Sequence, residues 1–159
     1  MKPLILLDIE GVLNPVAHPN DDGESSERSL PAAKASLVRR LAKCGQIAWV
    51  STSPEDLTEE LESQLQLETE PVRVELETRE SDVEEPTPKL RAVTEWLARK
   101  DADGEAGWDA LVWIDDVLGP DAHEWADGFG QPVHLEKTSP EEGLTKEQVA
   151  SVESFVDGI

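Results

Sequence analysis

The sequence predicts an α/β fold, a mainly parallel five-stranded sheet with helices on both faces. Three observations carry that expectation. First, Pro3-Leu4-Ile5-Leu6-Leu7, Gln46-Ile47-Ala48-Trp49-Val50 and Trp108 to Ile114 contain unbroken apolar runs, the pattern of strands buried on both faces. Second, each run stops abruptly at polar residues, Asp8, Ser51 and the pair Asp115-Asp116. Third, the segments between them repeat apolar residues at helical spacing, so strands and helices alternate and the strands pair in parallel through right-handed crossovers. In such sheets the chemistry lies at the carboxyl ends of the strands, where these polar residues fall.

The first strand runs into Asp8-Ile9-Glu10-Gly11-Val12-Leu13-Asn14. Two carboxylates with one residue between them, on a turn leaving a strand, can point into one pocket and share a divalent cation or divide nucleophile and acid roles. His18 to Ser26 is polar and turn-rich and reads as a loop above the active end, too short for a folded cap, with His18 exposed on it. Pro31 to Lys43 predicts a helix with Leu37, Val38 and Leu41 on its inner stripe and Gly45 closing it. The second strand follows and ends in Ser51-Thr52-Ser53-Pro54, where Ser53 suits the N-cap of the next helix, Leu57 to Leu67.

Pro71 to Leu76 alternates apolar and polar residues and belongs at a sheet edge, and the acidic stretch Glu77 to Glu85 reads as a solvated loop. Pro86-Thr87-Pro88-Lys89 introduces a helix from Leu90 to Arg99 with Leu90, Val93, Trp96 and Leu97 inward. A cation is disfavoured at a helix N-terminus, so Lys89 either reaches into solvent or meets an anion. After the strand ending in Asp115-Asp116 come a short helix, Asp121 to Phe129, and a last strand, Gln131 to Leu135. Thr145-Lys146-Glu147-Gln148 has the form of a capping box and opens a terminal helix with Val149, Val152, Phe155 and Val156 inward. His123 and His134 stand alone and read as structural.

At 159 residues the chain suits one domain, residues 1–159, without a sizeable cap. Its first apolar run is too short for the core of a signal peptide, and no later stretch reaches membrane-spanning length, so a soluble, cytoplasmic protein is expected. The single cysteine, Cys44, excludes an internal disulfide and a cysteine-based zinc cluster and reads as a small half-buried residue. A formal charge of −21 repels polyphosphate backbones and disfavours a broad nucleic-acid footprint. The only basic clusters, Arg39-Arg40 and the helix from Lys89 to Lys100, are sparse.

Taken in order, Asp8-Ile9-Glu10-Gly11, the hydroxyl-closed strand at Ser51, Lys89 at a helix start and Asp115-Asp116 at a buried strand tip resemble the four motifs of the haloacid dehalogenase (HAD) superfamily. The resemblance covers nearly the whole chain, from Leu4 to Phe155. It implies a three-layer Rossmann-like sheet in the order 5-4-1-2-3, with the first strand central, in a small capless member. It also implies phosphomonoester hydrolysis through a phospho-aspartyl intermediate on Asp8, with Ser51 and Lys89 holding the phosphoryl oxygens. By the same resemblance Mg2+ is held by Asp8, Asp116 and the backbone carbonyl of Glu10, Asp115 supports the site, and Asp121 takes the later acidic position of the fourth motif. The implied substrate is a small phosphorylated compound, although an open site also admits polymer ends. One position departs from the pattern, because Glu10 stands where the family's phosphatases carry a second Asp, the residue that protonates the leaving group. Glutamate has the same acid chemistry but is one methylene longer, and misplacing a catalytic group by about 1 Å costs on the order of a hundredfold in rate. The alternative to an active phosphatase is therefore a HAD-fold binding or interaction module with weak or no turnover.

Overall fold

The structure is a computed structural model that describes residues 3–9, 11–13, 16–19, 26–50, 55–74, 76, 80, 84–104, 107–139 and 141–158, with only the backbone described at 16–19, 26–29 and 55–57. In chain order the elements are β1 (Leu4–Leu7), β2 (Val16–Pro19), β3 (Ser26–Ser29), α1 (Ala32–Cys44), β4 (Gln46–Trp49), α2 (Glu55–Leu65), β5 (Val72–Arg73), α3 (Leu90–Ala102), β6 (Leu111–Asp115), α4 (Pro120–Gly128), β7 (Val133–Lys137) and α5 (Lys146–Asp157). The main sheet has the order β5-β4-β1-β6-β7, and its pairings are parallel. Counting only these strands, that is the 5-4-1-2-3 order implied by the resemblance, read from the other edge.

The continuous apolar runs divide between two faces with the two-residue period of a strand. Ile5 and Leu7 of β1, Ile47 and Trp49 of β4, and Val112 and Ile114 of β6 pack with Val38 and Leu41 of α1, Leu61 and Leu65 of α2, and Val149 and Val152 of α5. Their neighbours Leu4, Leu6, Ala48, Leu111 and Trp113 face the other way, onto Val93, Trp96 and Leu97 of α3 and Ala122 of α4. Both faces are therefore covered, which is why the central strands read as unbroken rather than alternating sequence. The indole N–H of the fully buried Trp49 donates to Glu62 Oε1 at 2.9 Å, so its burial leaves no unpaired donor.

Two helix starts follow from local sequence. Thr145 caps α5 through its side chain, which accepts from the Gln148 amide, while the Gln148 side chain accepts from the Thr145 amide. Pro120 occupies the first turn of α4, where a missing N–H costs nothing. The structure differs from the sequence expectation before α1. Both edges of the stretch read as a loop, His18 to Ser26, belong to an antiparallel ribbon pairing Val16 with Ser29 and Pro19 with Ser26. Val-Ala-His-Pro and Ser-Glu-Arg-Ser lack strand-like alternation, and here pairing and contact between β3 and α2 outweigh weak local propensity. Just beyond the ribbon the Leu30 amide donates to Gln64 Oε1 at 2.7 Å, tying its exit to α2. The side chain of His18 lies outside those described.

Candidate active site at the carboxyl end of the sheet

The ladder of the central strands continues to their tips and fixes the acids there. The Asp8 amide donates to the Ile114 carbonyl at 3.0 Å, and the Thr138 amide donates to the Asp115 carbonyl at 3.1 Å. Asp8 is 3% exposed and Asp115 1%. Adjacent acids on a straight strand would point to opposite faces, but β6 ends at Asp115 and the backbone bends at Asp116. As a result Asp8, Asp115 and Asp116 can each offer a carboxylate oxygen within 4.8 Å of the others.

Gly11 permits this approach. Its φ of +78° is a left-handed conformation that β-carbons disfavour, and a Cβ there would lie 2.3 Å from Asp116 Oδ2. The turn is held from outside by Thr138, a buried residue after β7 whose hydroxyl donates to the Gly11 carbonyl at 2.7 Å.

Lys89 reaches this cluster from the start of α3. Its ammonium lies 2.8 Å from Asp8 Oδ1 and 3.2 Å from Asp115 Oδ2, and it donates to the Val50 carbonyl at 3.1 Å. An ammonium has three hydrogens, so all three have a partner. The anions in front of it resolve the conflict of a cation at a helix N-terminus. Asp115 also accepts from the Val117 amide at 3.1 Å through Oδ1, and the indole N–H of Trp113 lies 3.4 Å from Oδ2.

Of the three clustered carboxylates, two meet the Lys89 ammonium directly. Burial, and then the charge of Asp8, push the Asp115 carboxyl up to about 8, with Lys89 opposing them. Burial also raises Asp8 above the ordinary carboxylate range, again against the pull of Lys89. For Lys89 burial works downward, but Asp115 and Asp8 outweigh it and the net direction is up, so the side chain stays cationic. Carboxyls raised by crowding and desolvation are short of positive charge. Their donor set is all carboxylate oxygen, without sulfur or imidazole, and fits a hard divalent cation such as Mg2+.

The structure thus brings together four of the residues singled out from sequence, Asp8, Lys89, Asp115 and Asp116. Glu10 and Ser51 lie outside the described residues. Asp121 is not in the cluster; its carboxylate accepts from the amide and hydroxyl of Thr87 and from the Ala122 amide. Sequence reasoning passed over Thr87, Thr138 and the Val50 carbonyl. Only Thr87 carried a signal, as a hydroxyl between two prolines two residues before Lys89.

A parallel sheet with the nucleophile candidate at the tip of its middle strand, an acid pair on the neighbouring strand and a lysine from a following helix is a HAD-superfamily domain. Residues 4–149 match the family described as the HAD domain in Swiss Army Knife RNA repair proteins, and the chain belongs to that family. No curated protein sequence matches it. Among solved structures, a protein described as a HAD superfamily (subfamily III A) hydrolase from Legionella pneumophila is similar at 15% identity and a TM-score of 0.50, covering 98% of this chain and 84% of its own. The 3-deoxy-D-manno-octulosonate 8-phosphate phosphatase from Moraxella catarrhalis, solved with magnesium, phosphate and KDO, is similar at 13% identity and a TM-score of 0.49, covering 98% of this chain and 86% of its own. At 15% identity the likeness to the Legionella pneumophila protein concerns the fold alone.

Proposed function

We propose that the protein is a Mg2+-dependent phosphomonoester hydrolase working through a phospho-aspartyl intermediate on Asp8. The supporting observation is the convergence of Lys89, 2.8 Å from Asp8, with three carboxylates whose oxygens lie within 4.8 Å of one another. Asp8, Asp116, Asp115 and, by resemblance, the Glu10 carbonyl would hold the cation, which when bound supplies the positive charge that lets a carboxylate and a phosphate approach. One carboxylate oxygen of Asp8 forms a bond to phosphorus as the bond to the leaving oxygen breaks. Glu10 gives that oxygen a proton and then takes one from the water that hydrolyses the aspartyl phosphate, returning Asp8 and releasing inorganic phosphate. Lys89 and Ser51 hold the non-bridging oxygens; their contribution is positional and electrostatic, as a loose phosphoryl-transfer transition state requires. Residues 1–159 act as one capless domain in this reading.

Release of inorganic phosphate from an aryl phosphate tests it. The 159-residue chain with Mg2+ is expected to turn over, and Asp8→Asn to lose on the order of 10^4-fold or more in kcat. Folded protein that releases no phosphate with Mg2+ present would overturn the reading in favour of a binding module. In that case Glu10→Asp distinguishes a site disabled at one position, where activity appears, from a site never built for turnover.

A second reading, the terminal phosphate of an RNA, is favoured by the family's description. Against it stands the net charge of −21, which leaves only a short strand end as an acceptable ligand. An oligoribonucleotide with a terminal phosphate, compared with the aryl phosphate in kcat/KM, decides between them. A gain of tenfold or more for the oligonucleotide, on the order of 1.4 kcal/mol, supports the RNA end.

A further inference from the structure

Beside the site, and outside its acid cluster, lies a compact polar network linking the start of α3 to the loop that follows β6. Thr87, 1% exposed, is its centre. The Thr87 hydroxyl donates to Asp121 Oδ1 at 2.6 Å, and its amide donates to Asp121 Oδ2 at 3.1 Å. The same hydroxyl oxygen accepts from the Gly119 amide at 2.7 Å. The Thr87 carbonyl accepts from the Leu90 amide at 3.0 Å, the first hydrogen bond of the turn that opens α3. Every polar group of this residue therefore has a partner, and both oxygens of Asp121 are engaged, with the Ala122 amide adding a third bond at 2.9 Å.

The surrounding backbone is tight. A Cβ at Gly119 would lie 2.5 Å from the Cβ of Pro86, so the two segments touch where a side chain would keep them apart. Pro88 is the one residue between Thr87 and Lys89; its ring fixes φ there and restricts the backbone of Thr87 before it. Lys89 then crosses to Val50, Asp8 and Asp115, and Asp115 is the first residue of the segment that ends at Asp121. The lysine and the acid pair thus hang from the two ends of one braced unit. Its hydrogen bonds are part-buried and centred on a buried threonine, and a fully satisfied network of this kind rigidifies its surroundings.

We propose that Thr87 and Asp121 are positioning residues that fix Lys89 against Asp8 and Asp115, and that Asp121 acts through Thr87 and not on the cation. The inference rests on the reading of Lys89 as the phosphoryl-binding cation of a phosphatase. Asp121, which takes the later acidic position of the fourth motif by resemblance, is then the acid that locks the helix start.

The test compares Thr87→Val, Thr87→Ser and Asp121→Asn with wild type, in the full chain, by steady-state kinetics on an aryl phosphate and by Mg2+ calorimetry. Thr87→Val keeps the shape and removes the hydroxyl. It is expected to lower kcat by about 10- to 100-fold, the scale of a sub-ångström to 1 Å misplacement, with the Mg2+ dissociation constant within about threefold of wild type. Thr87→Ser, which restores the hydroxyl, is expected to return kcat to within about threefold. Asp121→Asn keeps one acceptor for the hydroxyl but turns an N–H or a poorer acceptor toward the Thr87 amide; kcat falls and Mg2+ affinity holds. Wild-type kcat in both Thr87→Val and Asp121→Asn would overturn the brace, and so would loss of more than tenfold in Mg2+ affinity in Asp121→Asn, which would make Asp121 a cation ligand. If Thr87→Val does not fold, the Asp121→Asn and Thr87→Ser pair decides on the same criteria. Absence of Mg2+-dependent turnover in wild type overturns the phosphatase reading itself, whereas an active wild type with unaffected variants overturns only the brace.

Discussion

β1 and β6 run side by side from Leu4 and Leu111 to Leu7 and Asp115, yet their two ends meet opposite surroundings. At the amino end Leu4, Ala110 and Leu111 are buried, and the chain closes by backbone contact, with the Gln46 amide donating to the Pro3 carbonyl at 3.0 Å. A Cβ on Gly45 would fall 2.2 Å from the same carbonyl. Trp96 and Trp108 stack nearby with centroids 6.1 Å apart. At the carboxyl end the same strands deliver three carboxylates, met by a lysine from the start of α3, into a setting that raises the pKa of two of the acids. The apolar end adds stability without chemistry, and the polar end spends stability to hold like charges together. Only an ordered ladder between the two lets one support the other.

The comparison breaks most visibly if the apolar end is cut. Leu111 is fully buried at the start of β6, and Leu111→Ala is expected to cost about 2–5 kcal/mol of stability, the range for a large core truncation. Urea denaturation measures the loss. Below the transition, kcat and Mg2+ affinity should match wild type, because the ladder that fixes Asp8 and Asp115 remains paired with Ile114 and Thr138. A fall in kcat larger than tenfold in still-folded protein would mean that the two ends are not separable.

Gly11→Ala cuts the other end. The new methyl meets Asp116 Oδ2 at 2.3 Å and the backbone sits at φ +78°, so the strain alone is expected to cost about 1–2 kcal/mol. Displacing Asp116 is expected to weaken Mg2+ binding by about 10- to 100-fold, the scale found when the support of a metal ligand is removed. Calorimetry with Mg2+ beside a urea titration separates the two effects. Equal Mg2+ affinity in the variant would show that Asp116 needs no glycine opposite it.

The same contrast explains what could be read from sequence. The apolar runs at Leu4 to Leu7, Ile47 to Val50 and Leu111 to Ile114 are legible because burial on both faces of a sheet leaves no room for polar residues. Their abrupt ends marked Asp8 and Asp115-Asp116, and a lysine at a helix start was legible as an electrostatic anomaly. Hydrogen bonds across distant segments have no such periodicity. Thr87 and Asp121 stand 34 positions apart, Thr138 and Gly11 stand 127 apart, and the Val50 carbonyl belongs to no residue type at all. The ribbon of β2 and β3 escaped because its residues form strands by pairing and packing against α2 and not by pattern. Which of two adjacent acids the lysine would take was also out of reach, since it depends on how the backbone bends after β6.

The subtlest way to sharpen the contrast is pH. Burial and the neighbouring Asp8 push Asp115 up to about 8, from an ordinary value of 3.8, and burial raises Asp8 in the same direction. Between those values the folded protein holds protons that the unfolded chain has released, so the free energy of unfolding falls as pH rises. In cation-free buffer with chelator the melting temperature is therefore expected to decrease from about pH 5 to about pH 8, the window set by these two carboxyls. General repulsion among the acidic side chains contributes a slope of the same sign, which is why Asp115→Asn is the control: removing this titration should flatten part of the slope. Mg2+ works the other way. On the proposed reading its binding would displace protons from the carboxyls, so the stabilisation at saturating Mg2+ should be larger at pH 8 than at pH 5. Leu111→Ala, at the far end of the same strand, should lower the melting temperature by a similar amount at each pH. If Asp115→Asn and wild type keep the same slope, the carboxyl end does not store the electrostatic cost assigned to it.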